Sequence, residues 1–275
     1  MSSPSLTRVA SYRRTVHASE ARVWENVRDW EHLPWLHAAS FRSIDCLDEG
    51  AWGWRARIGL EPAREIELEL RIDSASSRYV SRTLDGPGQG SEIWTRVSPL
   101  AAERTEVEVE FWLPAVDPGR ATELGSAYTR LYQRLWDEDE EMMVRRAEQL
   151  AAARAGEPEP KVPLPLGPLA ALRARLPALV EWGGRRWRIV ELDGQLAVHA
   201  TVCPHRLGPL EDAPVEADGC VRCPWHGYRF DVQSGHSADG RRLRLARAPE
   251  LSIDARGELW IGGPAPSLSS APAAR

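Results

Sequence analysis

Cys203-Pro-His205-Arg-Leu-Gly208-Pro-Leu and, further along, Cys223-Pro-Trp225-His226-Gly-Tyr-Arg-Phe-Asp231 each set one thiol and one imidazole on a short turn. Pro204 and Gly208 punctuate the first turn, Pro224 and Gly227 the second, and strand-like residues flank both. The spacing is Cys-x-His, seventeen residues, then Cys-x-x-His. Two loops that each offer one thiolate and one imidazole suit an asymmetric 2Fe-2S cluster, in which two Cys hold one iron and two His the other. Zinc also takes two Cys and two His, but zinc-finger chains pair Cys with Cys and His with His along the sequence. Cys203, His205, Cys223 and His226 are therefore the candidate cluster ligands. Cys220 is off this pattern and reads as a buried strand thiol, while Cys46 stands alone.

Around these loops, residues 178–262 show short strands separated by turns and no convincing helix, the pattern of a small all-β domain. Residues 151–177 precede it, with five prolines between 158 and 168, and read as an extended, semi-rigid linker. Residues 263–275, rich in Gly, Pro, Ala and Ser, read as a disordered tail. The first 150 residues have a different grammar. Alternation over 7–17 is followed by a helical pattern over 19–29, with Ser19 as N-cap and Val23, Trp24 and Val27 at helical spacing. Strand-like alternation follows over 52–58, 66–72, 79–84, 92–97 and 105–112. One long amphipathic pattern closes the segment over 118–153, with Leu124, Tyr128, Leu131, Leu135, Met142 and Leu150 on its apolar face. This predicts an α+β domain in which a curved antiparallel sheet wraps the long C-terminal helix.

Composition excludes several classes. The chain has 275 residues, 43% hydrophobic and 27% charged, as a globular protein does. A net charge of −5, with no basic domain or stripe, argues against a nucleic-acid partner. No run of apolar residues is long enough for a membrane span. The first residues lack the apolar core of a signal peptide, which makes the cytoplasm the expected compartment. Four cysteines are too few for a disulfide scaffold. Of twelve tryptophans, eight precede residue 150; most will fill the core, and the rest suit the wall of a cavity for a flat or hydrophobic ligand.

Residues 178–262 resemble a Rieske domain, and the stretch from Cys223 to Asp231 resembles the second cluster loop of Rieske oxygenases and Rieske ferredoxins. Respiratory Rieske proteins carry an extra cysteine in each loop; here those positions are Gly208 and Trp225, so the resemblance is to the oxygenase-like class without that disulfide. Such a cluster shuttles electrons singly and does no organic chemistry by itself.

The N-terminal domain must then receive or regulate those electrons. Asp29-Trp-Glu-His32-Leu-Pro-Trp-Leu-His37 contains Asp-x-x-His-x-x-x-x-His, and the long helix carries Trp136-Asp-Glu-Asp139. Two His and a carboxylate form the facial triad of non-haem Fe(II) oxygenases. Both stretches resemble the catalytic domain of Rieske non-haem iron oxygenases, with the domain order reversed. That resemblance implies a mononuclear Fe(II) on His32, His37 and Asp139, with Asp29 as the acidic bridge between cluster and iron. It also implies dioxygen and a hydrophobic small molecule as substrates, and a homotrimer. No nucleotide fingerprint occurs, so a separate NAD(P)H-dependent reductase or ferredoxin would supply electrons.

A second reading stays open. Val23-Trp24, Asp29-Trp30 and Leu33-Pro34-Trp35 also resemble the START-like (SRPBCC; polyketide cyclase, Bet v 1) superfamily, which needs no metal. On that reading the run from Asp137 to Glu141 is a solvated helix face, and the protein is a Rieske electron-transfer module fused to a hydrophobic-ligand domain. Histidines five residues apart point about 140° apart on a regular helix, so Pro34 is expected to break it if both are to meet one ion.

Overall fold

Residues 5–155 and 162–264 of this computed structural model are described, and the chain divides into two units, Met1–Glu148 and Gln149–Arg275. The first unit begins with β1 (Leu6–Val16), α1 (Glu20–Arg28), a 3-10 turn (Trp30–His32) and the one-turn α2 (Leu33–Leu36). Six strands follow: β2 (Phe41–Gly50), β3 (Gly53–Leu60), β4 (Arg64–Asp73), β5 (Arg78–Asp85), β6 (Glu92–Ala101) and β7 (Arg104–Pro114). The long α3 (Ala121–Ala155) ends the series. The strands form one seven-stranded sheet in the order β1-β7-β6-β5-β4-β3-β2, antiparallel throughout.

Why β7 lies inside this sheet is plain from its sequence. Thr105, Val107, Val109, Phe111 and Leu113 are buried while the residues between them are only partly so, the period-two pattern of a strand with one face on a core. That core joins Trp54, Ala56 and Ile58 of β3, Leu70 of β4, Tyr79 of β5 and Val97 of β6 to Val23 and Val27 of α1. From α3 come Trp136 and Met143, seven residues apart and so on one helical stripe. The α+β architecture, a sheet gripping a long helix, is the expected one.

Two expectations need correcting. β2 was not among the predicted strands. It is an edge strand with most of its residues exposed or half-exposed, so no buried alternation marks it. The linker expected over 151–177 is also too long. α3 continues to Ala155; β8 (Leu164–Pro168) pairs with a later strand, and α4 (Leu169–Arg173) buries Leu172 completely. Prolines are compatible with this because β8 is paired on one side only, where a missing N–H costs no ladder bond. Residues 156–161 of the expected linker, and 265–275 of the expected tail, lie outside the described residues.

The second unit continues with β9 (Ala178–Trp182), β10 (Arg185–Leu192), β11 (Gln195–Ala200), β12 (Cys220–Arg222), β13 (Arg229–Asp231), β14 (Leu251–Ile253) and β15 (Glu258–Ile261). They make three small antiparallel sheets: β11-β10-β9, β12-β13 and β14-β15-β8. The unit is strand-rich as expected, and it starts earlier than expected.

Candidate metal centres

The two Cys/His loops have nearly the same backbone. In the first, the Cys203 N–H donates to the Gly208 carbonyl at 2.8 Å, and the Leu207 N–H donates back to the Cys203 carbonyl at 3.1 Å. In the second, the Cys223 N–H donates to the Tyr228 carbonyl and the Gly227 N–H to the Cys223 carbonyl, both at 2.9 Å. The residue four after each cysteine takes a left-handed conformation, φ 65° at Leu207 and 68° at Gly227. The first loop follows β11, and the second is the turn of the β12–β13 hairpin.

These turns bring the four predicted ligands together. Cys203 and Cys223 are each 1% exposed, and their sulfurs share a hydrogen bond. That contact pushes the Cys203 thiol up, with burial adding to it, and holds Cys223 low, as expected when one thiol donates to a neighbouring thiolate. His205 and His226 lie with ring centroids 4.6 Å apart and planes at 82°. Gly208 makes room: a Cβ there would stand 2.7 Å from Cys223 Sγ and 3.0 Å from the Trp225 ring. Paired sulfurs beside paired imidazoles, in a cradle that admits no side chain, fit an asymmetric 2Fe-2S cluster. All four cysteines are free thiols, and Cys220 is a buried residue of β12, as its position suggested.

A second cluster of donors lies in the first unit. His32 ends the 3-10 turn, His37 caps the C-terminus of α2, and Asp139 sits midway along α3. One ligand atom from each lies within 4.8 Å of the others. His32 Nε2 and His37 Nε2 approach the same oxygen, Asp139 Oδ1, at 3.3 and 3.1 Å. Both histidines are buried, at 4% and 1% exposure. Pro34 does not break a helix between them. It is the second residue of α2, within the first turn, where its missing N–H costs no helical bond, and the histidines flank that single turn with rings 5.1 Å apart.

Asp139 belongs to the buried stripe of α3, three residues after Trp136 and four before Met143. The acidic run is therefore no uniform solvated face. Asp137 pairs with Arg14, Glu140 with Arg14 and His17, Glu138 with His37, and Asp139 with both histidines. Burial alone would raise the Asp139 carboxyl, but His37 and His32 outweigh it and hold the group well below the carboxylate range. Burial would likewise lower His37, and Asp139 and Glu138 reverse this, raising it.

Sequence reading missed two partners of this site. Glu138 Oε2 accepts from His37 Nδ1 at 2.6 Å, which turns Nε2 toward Asp139. Asn26 Nδ2 donates to Asp139 Oδ1 at 3.0 Å. Asn26 could have been found, because it shares the buried stripe of α1 with Val23 and Val27. The donor set fits a divalent ion such as Fe(II): at bond lengths of about 2.1 Å, neighbouring ligand atoms on an octahedral ion stand about 3 Å apart. Asp29, the predicted bridge, is buried at the junction of α1 and the 3-10 turn.

Comparison with known proteins agrees with the second unit. Residues 163–248 match the family described as the Rieske 2Fe-2S domain, and this part of the chain is a Rieske domain. Its relatives include the oxygenase component of dicamba O-demethylase from Stenotrophomonas maltophilia, 35% identical over 80 residues, covering 26% of this chain and 23% of that protein. Aminopyrrolnitrin oxygenase PrnD from Pseudomonas fluorescens is 34% identical over 100 residues, 32% of this chain and 25% of that one. The matches thus span about a quarter of these relatives. Solved structures similar to this chain include the Zhui aromatase/cyclase from Streptomyces sp. R1128, at 19% identity, covering 52% of this chain and 96% of that one with a TM-score of 0.44. A START superfamily protein from Mycobacterium smegmatis is 17% identical, covering 48% of this chain and 97% of that one with a TM-score of 0.42. No helix among the described residues is long and apolar enough to cross a membrane.

Proposed function

We propose that this protein is a Rieske-type non-haem iron oxygenase. Cys203, His205, Cys223 and His226 hold the 2Fe-2S cluster, and His32, His37 and Asp139 hold a mononuclear Fe(II). The substrate is a hydrophobic or aromatic small molecule. The observation that carries this reading is the convergence of the buried His32 and His37 on the part-buried Asp139 in a chain that also bears a Rieske domain. A START-like ligand domain has no need of two buried imidazoles aimed at one carboxylate oxygen.

When bound, the cluster supplies electrons one at a time and the iron offers open positions for dioxygen and substrate. Hydroxylation of a substrate RH then balances as RH plus dioxygen, two electrons and two protons giving ROH and water. The chain's own groups prepare this. Glu138 fixes the orientation of His37, His37 and His32 keep Asp139 ionised, and Asn26 donates a hydrogen bond to the same carboxylate. Tyr12, Tyr79 and Tyr132 stay protonated, each raised first by burial and with Asp139 among the charges that add to it, so aromatic side chains stand near the carboxylate. Asp29 is assigned as the electron bridge between the two centres, and Asp29→Asn is expected to keep both metals while slowing turnover. Electrons come from a separate NAD(P)H-dependent reductase or ferredoxin; one relative is itself named as an oxygenase component. A homotrimer is the assembly this reading implies, with sedimentation as its check.

The deciding experiment counts iron and acid-labile sulfide on anaerobically purified protein reconstituted with Fe(II). About three irons to two sulfides, falling to two irons in His32→Ala with the Rieske EPR signal retained, is expected for one such triad beside one cluster. Two irons to two sulfides in the wild type would overturn the oxygenase and leave an electron-transfer module fused to a ligand-binding domain.

A further inference from the structure

Three side chains from separate parts of the Rieske unit form a continuous stack. The His205 ring lies on the Tyr228 ring with centroids 4.3 Å apart and planes within 18°. The Arg241 guanidinium carbon stands 3.8 Å from the centroid of the same Tyr228 ring. Since imidazole fills one face of that ring, the guanidinium takes the other. Tyr228 therefore has two roles: its carbonyl closes the second loop, and its ring ties that loop to the first by covering His205.

Arg241 is exposed, but its segment is anchored. Ala238 N–H donates to the Arg229 carbonyl at 2.9 Å, Ser237 N–H to the Leu243 carbonyl at 3.1 Å, and Asp239 Oδ2 accepts from the Arg229 N–H at 2.8 Å. The backbone that carries Arg241 is thus held beside the ring stacked on His205, with the guanidinium over that ring.

We propose that Arg241, acting through Tyr228, is a positioning residue that holds the His205 ring and biases the cluster toward its reduced state. The inference rests on the assignment of the cluster to these two loops. The physical argument is a matter of sign. One-electron reduction adds a negative charge beside His205, and a nearby fixed positive charge favours that state by Coulomb attraction. Neutralising Arg241 disfavours it, so at a fixed solution potential the ratio of reduced to oxidised cluster falls. Stacking on both faces of Tyr228 also restrains imidazole rotation, because a turn of His205 would break planar contact with the ring it covers.

The test is a redox titration of the full-length, cluster-loaded protein, followed by EPR. In Arg241→Gln the reduced-to-oxidised ratio at fixed potential is expected to fall about threefold at low salt, the scale of one partly screened unit charge; a tenfold fall would correspond to 59 mV for a one-electron couple. Arg241→Lys keeps the charge and is expected to stay near wild type. Arg242→Gln removes the same charge from the next residue and is expected to shift the ratio less. The difference between wild type and Arg241→Gln should fade toward 1 M salt, where screening acts within about 3 Å. An unchanged ratio in Arg241→Gln, an equal fall in Arg242→Gln, or an equal fall in Arg241→Lys would each overturn the proposal. Should Arg241→Gln not retain its cluster, a fall of about threefold in Arg241→Lys or in Arg242→Gln would overturn the proposal instead, and near-wild-type ratios in both would support it. A wild-type protein without a Rieske EPR signal would instead overturn the cluster assignment itself.

Discussion

Gly208 shows how much one residue can decide. Its Cα faces Cys223 Sγ and the Trp225 ring so closely that any Cβ must displace one of them. Gly208→Ala is therefore expected to cut bound iron and sulfide by more than half while the far-UV spectrum is kept, which metal and sulfide assays on purified protein would show. Glu138 acts at the other site through orientation. Its carboxylate accepts the Nδ1 proton of His37 and leaves Nε2 for a metal. Loss of such an outer partner weakens metal binding by about 10–100-fold. Glu138→Ala should show that loss in an anaerobic Co(II) or Fe(II) titration, with Glu138→Gln in between, since its amide oxygen still accepts. Equal affinities in all three proteins would remove Glu138 from the site. The four Cys and His of the loops were legible because their spacing, prolines and glycines are all local. Glu138 was not, because its meaning depends on a histidine 101 residues earlier in the chain.

Among the elements, α3 and β7 were readable and β2 was not, for one reason. A strand or helix shows in sequence when it presents a polar face and a buried face in alternation. β7 does so at Thr105, Val107, Val109, Phe111 and Leu113, whereas β2 lies at the sheet edge and buries too little to leave a pattern. Phe111 is fully buried and touches the rings of Tyr12, Tyr128 and Tyr132, so it joins sheet to α3. Phe111→Ala should cost about 3–5 kcal/mol, the usual range for a buried aromatic. Urea unfolding followed by tryptophan fluorescence would read it, and a loss under 1 kcal/mol would mean the sheet–helix seam lies elsewhere. β8 offers a test of where the Rieske unit begins. It pairs with β15, which otherwise has only the three-residue β14 beside it, and α4 adds the buried Leu172. A fragment starting at residue 162 should fold and hold a cluster, while one starting at 178 should fail to do so. Cluster retention in the shorter fragment would show that β8 is dispensable.

At the scale of the whole molecule, the sequence made both candidate metal sites visible but not with equal force. The cluster loops and the strands around them form one continuous segment, and family comparison reaches the same 163–248 region. The triad joins residues from three elements, and only the placement of Asp139 between Trp136 and Met143 hints that it faces inward. This contrast in chain distance has a consequence for how the protein is made and how it fails. The groups from Cys203 to His226 lie close together along the chain, although the unit around them also needs β8 to meet β15. His32 and His37 cannot meet Asp139 until β2 through β7 have been laid down between them. Closing so long a loop is the slower step, so the cluster would be acquired before the iron and kept after the iron is gone. Mild heat or denaturant should bleach activity first and colour last. A brown preparation, on this logic, certifies only its C-terminal half.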